Sequence, residues 1–324
     1  MFTGGYNSVM WPYAIKRVLG AIPTLLIIIT LTFFMMRIAP GGPFDAQRHL
    51  PPEIEHNVRA AYHLDKPLYQ QYGMYMDRLL LHADLGPSYK NHDFTVNQLI
   101  AEGLPVSAKL GISAILLAVF AGILFGVIAA LNQNSIIDYM VMALAMIGIT
   151  IPTFVTAPVL ALIFGIYGIH LFGYDFFLPA GGWNDGALAN MILPVTVLAL
   201  PQIAVIARLV RGSMIEVLRS NFIRTARAKG LPKYLVVLRH AQRAALLPVV
   251  SYLGPAIAGL LTGSLIVETI FGIPGIGRYF VEGAINRDYT LVMGVVICYG
   301  AMVIALNLAA DILYAVLDPR VRPN

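Results

Sequence analysis

The run LGISAILLAVFAGILFGVIAAL, residues 110–131, decides the fold. Its 22 residues carry no charge, and Lys109 stands immediately before it. At 1.5 Å rise per residue, a helix of about 20 apolar residues crosses the ~30 Å hydrocarbon core of a bilayer. A membrane strand needs only ~10 residues and alternates in polarity, which this run does not. Five more uncharged stretches lie outward from it: 18–36, bounded by Arg17 and Arg37, then 139–174, 187–207, 244–267 and 289–310. Composition agrees. The chain of 324 residues is 58% hydrophobic and 12% charged, where soluble domains carry about 25% charge. Too few charges exist to cover a soluble body, and disorder is excluded by the same figures. The single cysteine, Cys298, has no intrachain partner for a disulfide framework.

These stretches predict an all-α polytopic membrane protein with six transmembrane helices, at 18–36, 110–131, 139–165, 187–207, 244–267 and 289–313. The third is read as one helix, broken or tilted around Pro152 and Pro158, followed by an outer loop at 166–186 rich in Gly and aromatics. Lys16 and Arg17 before the first span resemble the basic end of a signal peptide. The apolar run is longer than an h-region of 7–15 residues, and Arg37-Ile38-Ala39-Pro40 follows instead of an A-x-A-like site, so an uncleaved helix is expected.

Charge sets the orientation. Arg208, Arg211, Arg219, Arg224, Arg227, Lys229, Lys233, Arg239 and Arg243 crowd the segment 208–243, against one acid, Glu216. With Lys16, Arg17, Arg320 and Arg322 they make thirteen basic residues on one side. The short segments opposite carry Arg278 and Arg287 only. The positive-inside rule then puts both termini (1–17 and 314–324) in the cytoplasm, with 37–109, 166–186 and 268–288 outside. The net charge of +5 is a topology signal and not a nucleic-acid signature.

The outer segment 37–109 balances eight acids against seven basic residues. Two amphipathic helices are expected in it, 53–64 and 68–82, with Tyr69, Tyr72, Tyr75, Met76 and Leu79 near helical spacing. Five of the seven histidines fall here, at 49, 56, 63, 82 and 92. No H-E-x-x-H pair or nearby cysteine accompanies them, so a solvated cap or a docking surface is the better reading than a metal site.

In the cytoplasmic segment, NFIRTARAKGLP runs from Asn221 to Pro232. Asn221 is a candidate cap for a short helix, Gly230 suits its C-terminal turn, and Pro232 prevents continuation. Such a helix turns Arg224, Arg227 and Lys229 toward water, with Phe222 and Ala226 on another face. A second helix, 234–245, leads into the fifth span. Alone, these features equally describe a solvated connector.

The run from Asn221 to Leu231, followed by Leu238-Arg239-His240-Ala241 and Leu246-Leu247-Pro248, resembles the cytoplasmic loop of the dipeptide/oligopeptide permeases of ABC importers, above all their oligopeptide branch in Gram-negative bacteria. Ala83-Asp84-Leu85-Gly86-Pro87-Ser88-Tyr89 is similar to the family's D-x-G-x-S segment. The run from Glu268 to Gly277 is similar to its E-T-x-F-x-x-P-G-x-G segment. Asn286-Arg287-Asp288-Tyr289, Asp318-Pro319-Arg320 and the run from Arg17 to Gly41 extend the likeness in order over nearly the whole chain. One departure stands out. Where the general importer motif reads E-A-A-x-x-x-G, this chain has Arg224 and Thr225 before Ala226, with Gly230 in place.

The resemblance implies a type I importer permease of the bacterial inner membrane. Its coupling segment would comprise Asn221, Phe222, Arg224, Thr225, Ala226, Arg227, Lys229 and Gly230, resting on a partner ATPase. It also implies a second, homologous permease subunit, two ATPase subunits and a periplasmic peptide-binding protein. ATP and magnesium would sit on the ATPases; no cofactor is expected here, and no G-x-x-x-x-G-K-[ST] occurs. The glycines from 272 to 277 are read as a turn. Ionisable residues at membrane depth are functional candidates, and Glu268, with Thr269, Pro274 and Gly275, is a candidate pathway or gate; the favoured reading of Glu268 is that it pairs with Arg278 or caps a turn. Asp311 is read as interfacial. Gly122-x-x-x-Gly126 and Gly259-x-x-x-Gly263 would permit close helix packing. Dipeptide, murein-peptide, antimicrobial-peptide and nickel importers share these motifs. A self-sufficient channel or secondary transporter would want an internal repeat and rows of acids, and an intramembrane enzyme would want a reactive dyad; neither is evident.

Overall fold

The computed structural model describes residues 6–38, 60, 62–91, 93–171 and 174–317, with backbone alone at 6–18, 169–171, 174–175, 261–263 and 310–317. His49, His56, His92, most of the expected helix 53–64, Asp318-Pro319-Arg320 and the side chain of Asp311 lie outside the described residues.

The fold is helical: α1 (Tyr6–Ile38), α2 (Leu68–His82), α3 (Val96–Leu131), α4 (Ile136–Thr150), α5 (Thr153–Tyr167), α6 (Leu188–Leu218), α7 (Asn221–Ala228), α8 (Lys233–Ala245), α9 (Leu247–Phe271), α10 (Ile276–Ile285) and α11 (Tyr289–Leu317). The last seven residues of α5 and Val236–Ala241 within α8 wind as π-helix. A small antiparallel hairpin, β1 (Ile169–Leu171) and β2 (Tyr174–Phe176), follows α5. Four helices are long and apolar enough to cross a membrane, and up to seven spans result if each of three bent pairs is counted as one.

The third uncharged stretch is where the chain bends most sharply among the spans just described. A residue before proline is pushed out of the helical region, and Ile151 is extended at φ −93°, ψ 121°. The helix therefore stops at Thr150, and α5 leaves Pro152 at 104° to α4. The break belongs to Pro152 alone; Pro158 sits inside α5.

The chain forms two compact units, residues 1–107 with 274–304, and 108–273 with 305–324. In the first, α2 lies on α1. Phe33 of α1 is fully buried against Tyr72 and Tyr75, ring centroids 5.2 and 6.0 Å away, while Ile29, Met76, Leu79 and Met293 complete the cluster. Tyr72 adds a hydroxyl contact of 2.8 Å to Thr30. Tyr69 points away, 71% exposed. α2 occupies the predicted 68–82 because Pro67 opens it, extended at φ −55°, ψ 145°, and Ala83 closes it in the left-handed region at φ 50°. From Leu19 on, half of the side-chain positions of α1 stay exposed (Leu31 is 58% and Met35 69% exposed), as suits a helix facing lipid.

The second unit packs α4, α5 and α9 around α6. Small residues set the spacing. A Cβ on Gly122 would fall 2.7 Å from Ile206, and one on Gly126 2.6 Å from Val210, so consecutive glycines of α3 admit consecutive branched residues of α6. Gly148 of α4 is pressed in the same way on the Leu200 backbone. At Gly259 a Cβ would meet nothing within 4 Å among the described residues.

Candidate functional site

The candidate site is the short helix α7 and its seat, all within the second unit. α6 ends at Leu218, and two residues later the chain is helical again. The turn is tight: Ser220 donates its N–H to Val217 O at 3.0 Å and its hydroxyl to the same oxygen at 2.6 Å. Ser220, extended at φ −68°, ψ 155°, holds the N-cap position, and Asn221 is the first helical residue, not the cap. Serine and asparagine are comparable caps; here the Ser220 hydroxyl is spent on α6, and its carbonyl begins the helix by accepting from Arg224 N at 3.2 Å.

One face of α7 is anchored. Ile223 is 0% and Ala226 6% exposed, one turn apart. They join Ala130 at the end of α3, Met214 of α6, and Val236, Val237, Ala241 and Ala245 of α8 in a single apolar cluster. Burying Ile223 fully is worth about 1.5–3 kcal/mol. Phe222, expected beside Ala226, is 49% exposed instead. Branched Ile223 takes the inward position at i, i+3 from Ala226, which rotates Phe222 outward. Asn221, Arg224, Thr225, Arg227 and Lys229 are exposed too. The Thr225 hydroxyl bonds back to Asn221 O at 3.1 Å. The outer face is therefore one aromatic ring among three cations.

The far end is locked by glycine. Gly230 has φ +77°, its N–H reaches Arg227 O at 3.0 Å, and Leu231 N reaches Ala226 O at 3.4 Å. This pair of bonds is the Schellman turn, and Leu231 packs on the same apolar cluster, as that turn favours. Pro232 then starts α8.

A partly buried ion pair braces the same unit. Arg211 of α6 grips Asp138 of α4 with two bonds of 2.6 Å, and Asp138 also accepts from Asn134 N at 2.9 Å. The Asp138 side chain is 1% exposed. Nearby, Arg219 donates to Gln133 at 3.1 Å. Sequence reasoning gave Arg211 a topological role only. Asp138 is the one acid in the first turn of α4, and an isolated acid beside nine basic residues was the available signal, though it names no partner.

The candidate gate residues divide between the units. Glu268, fully buried, and exposed Thr269 lie at the end of α9. Gly272 closes that helix with φ +64°, and Ile273 N bonds Glu268 O at 2.8 Å. Arg278 engages Glu282 on its own helix at 2.7 Å. In the first unit Pro274 leads to Gly275, extended at φ −97°, ψ 170° as the N-cap of α10. Ile276 N bonds the buried Ser107 hydroxyl at 3.0 Å. Only Gly272 of this glycine run uses a left-handed conformation.

Two more of the recognised runs meet in the first unit. Asp288 caps α11, its Oδ1 accepting from Leu291 N at 3.2 Å and Thr290 at 3.0 Å. Its Oδ2 takes the Ser88 hydroxyl at 2.5 Å and Lys90 N at 3.3 Å. The single Thr290 hydroxyl proton is shared between Asp288 Oδ1 and Pro87 O, the latter at 2.6 Å. Asp288 and Ser88 are 1% and 0% exposed, so this carboxylate stitches residues two hundred positions apart. Among the described residues no three His, Cys, Asp or Glu side chains gather as a metal set would.

Residues 122–323 match the family described as "Binding-protein-dependent transport system inner membrane component", and residues 10–111 match its N-terminal companion. The chain is 56% identical over 313 residues to the oligopeptide transport system permease protein OppB of Escherichia coli K12, covering 97% of this chain and all of that one. It is 53% identical to OppB of Haemophilus influenzae, with the same coverage. The dipeptide transport system permease protein DppB of Bacillus subtilis is 43% identical over 310 residues, 96% of this chain and 97% of that protein.

Proposed function

This chain belongs to the oligopeptide/dipeptide permeases among the binding-protein-dependent inner-membrane transport components, and on that premise we propose that it is the transmembrane permease subunit of an ATP-driven importer of oligopeptides. It is a multi-pass protein of the inner membrane. In this reading six spans, with both termini cytoplasmic, alternate between inward- and outward-facing arrangements. Oligopeptides are preferred to dipeptides as cargo because identity is 56% to the oligopeptide relative and 43% to the dipeptide one.

The observation that carries the reading is the construction of α7. An eight-residue helix exposes Phe222, Arg224, Arg227 and Lys229 while Ile223 and Ala226 bolt it to α3, α6 and α8. A two-residue turn joins it to α6, so a push on α7 is delivered to a long helix without slack. The chain has no phosphate-binding loop of its own. ATP and magnesium would be held by two partner ATPases, with this chain binding no cofactor and meeting no nucleic acid. A homologous permease subunit would complete the pathway, and a periplasmic peptide-binding protein would deliver cargo. ATP drives the exchange because the ATPases bind it with different affinity in the two states.

Affinity-tagged chain, co-expressed with its cognate ATPases, tests the docking. Reversing Arg224→Glu and Arg227→Glu together is expected to cut ATPase recovery at least about fivefold at moderate salt, with α7 still folded; undiminished recovery would count against the assignment.

A further inference from the structure

A cleft in the first unit, outside both sites above, is lined by two arginines, of which Arg37 also reaches Met293 Sδ at 3.7 Å. Arg37, at the end of α1, and Arg78, on α2, line it together with Gln71, Tyr62, Tyr75 and Tyr89. The open space among them is about 420 Å³, including the part that opens to solvent. Arg37 Nε donates to Gln71 Oε1 at 2.9 Å, and the guanidinium carbon sits 3.6 Å over the Phe33 ring. Gln71 is used up, since its amide nitrogen donates to Lys66 O at 2.7 Å and Leu64 O at 3.3 Å. Among the described residues neither arginine has an ion-pair partner. Among the described residues no carboxylate lines the cleft, and Asp84, close by in sequence, spends an oxygen on Gly86 N at 2.9 Å.

The second observation is Tyr75. Its side chain is 92% buried (8% exposed), and among the described residues its hydroxyl has no hydrogen-bond partner. A buried, unsatisfied hydroxyl costs about 1–3 kcal/mol and asks for an occupant. Burial pushes the phenol above its ordinary value, and Tyr89 to about 12, so both remain neutral O–H groups at physiological pH. Two guanidinium groups with free N–H, a neutral donor and flat aromatic walls are the recognition set for a carboxylate: the planar fork matches its two oxygens, and the phenol satisfies a remaining lone pair.

We propose that this cleft binds a carboxylate group on the outer side of the permease, namely the free C-terminal carboxylate of a peptide. The assignment rests on the importer reading for its orientation and its ligand.

Full-length chain in nanodiscs, titrated with N-acetyl-trialanine, its C-terminal amide and inorganic phosphate, tests it by tyrosine fluorescence and calorimetry. Saturable binding of the free acid is expected, at least about tenfold weaker for the amide. Arg78→Gln should lose about tenfold in affinity and Tyr75→Phe about threefold, with Arg78→Lys partly restoring what Arg78→Gln loses and thermal unfolding unmoved. Equal binding of acid and amide, phosphate binding without peptide binding, or no saturable binding overturns the proposal. ATP-driven uptake by the assembled importer is measured alongside. Uptake that persists without carboxylate-dependent binding sinks the cleft and leaves the permease reading intact, whereas binding without any ATP-driven uptake sinks the importer reading.

Discussion

Gly230 and Gly272 close two different helices by the same means, φ +77° and +64° with paired bonds back to the last turn. A Cβ at either would meet nothing within 4 Å, so substitution costs conformation and not space. Gly230→Ala is expected to cost about 1–2 kcal/mol of local stability and Gly230→Asn less, because asparagine tolerates the left-handed region. Faster amide exchange across α7 in the alanine variant, but not in the asparagine one, would be the signature. At Asp288 the effect is of another kind. Asp288→Ala removes a helix cap and strands the Ser88 hydroxyl in a buried site, so a loss of about 2 kcal/mol or more is expected, read as a lower melting temperature in detergent. Legibility at this scale was uneven. Gly230 announced itself through the Gly-x-Pro spacing. Asn221 and Ser220 are both good caps, and which one serves depends on where α6 stops. Asp138 and Arg211 are 73 positions apart, and nothing local to either reveals the bond.

At the scale of elements, α7 depends on its seat more than on its own length. Eight residues do not hold a helix in water, so the burial of Ile223 and Ala226 must supply what propensity cannot. Ile223→Asp places a charge among Met214, Val236 and Ala245 and should unseat the helix, abolishing ATPase recovery. Phe222→Ala leaves the seat intact; it should weaken docking while amide protection of α7 stays normal. If the aspartate variant retained full protection from exchange, the seat would not be what holds α7. The same dependence explains the misplaced Phe222. Helical periodicity identifies which residues share a face, but with Phe222 and Ile223 adjacent it does not say which one turns inward. The long helices were legible for the opposite reason. A run of 22 uncharged residues has one stable form in a bilayer, and Pro152 was visible as a breaker, whereas the 104° angle between α4 and α5 was not.

For the whole molecule, the charge distribution was the most informative feature of the sequence, because nine basic residues in one segment mark both a side of the membrane and the neighbourhood of α7. The cleft of the first unit was not legible: Arg37, Arg78 and Tyr75 are ordinary in sequence, and only the meeting of α1 with α2 makes them a set. The account's central claim is that this chain carries cargo while another chain supplies the energy through α7. Proteoliposomes containing the chain, its paired permease, two ATPases and the binding protein measure this most directly, scoring labelled-peptide uptake and ATP hydrolysis together. Wild type should accumulate peptide only with ATP and all partners, and Gly230→Val should go on hydrolysing ATP while uptake falls by about tenfold or more. Peptide accumulation by this chain alone, without ATP, or unchanged uptake in Gly230→Val, would contradict it.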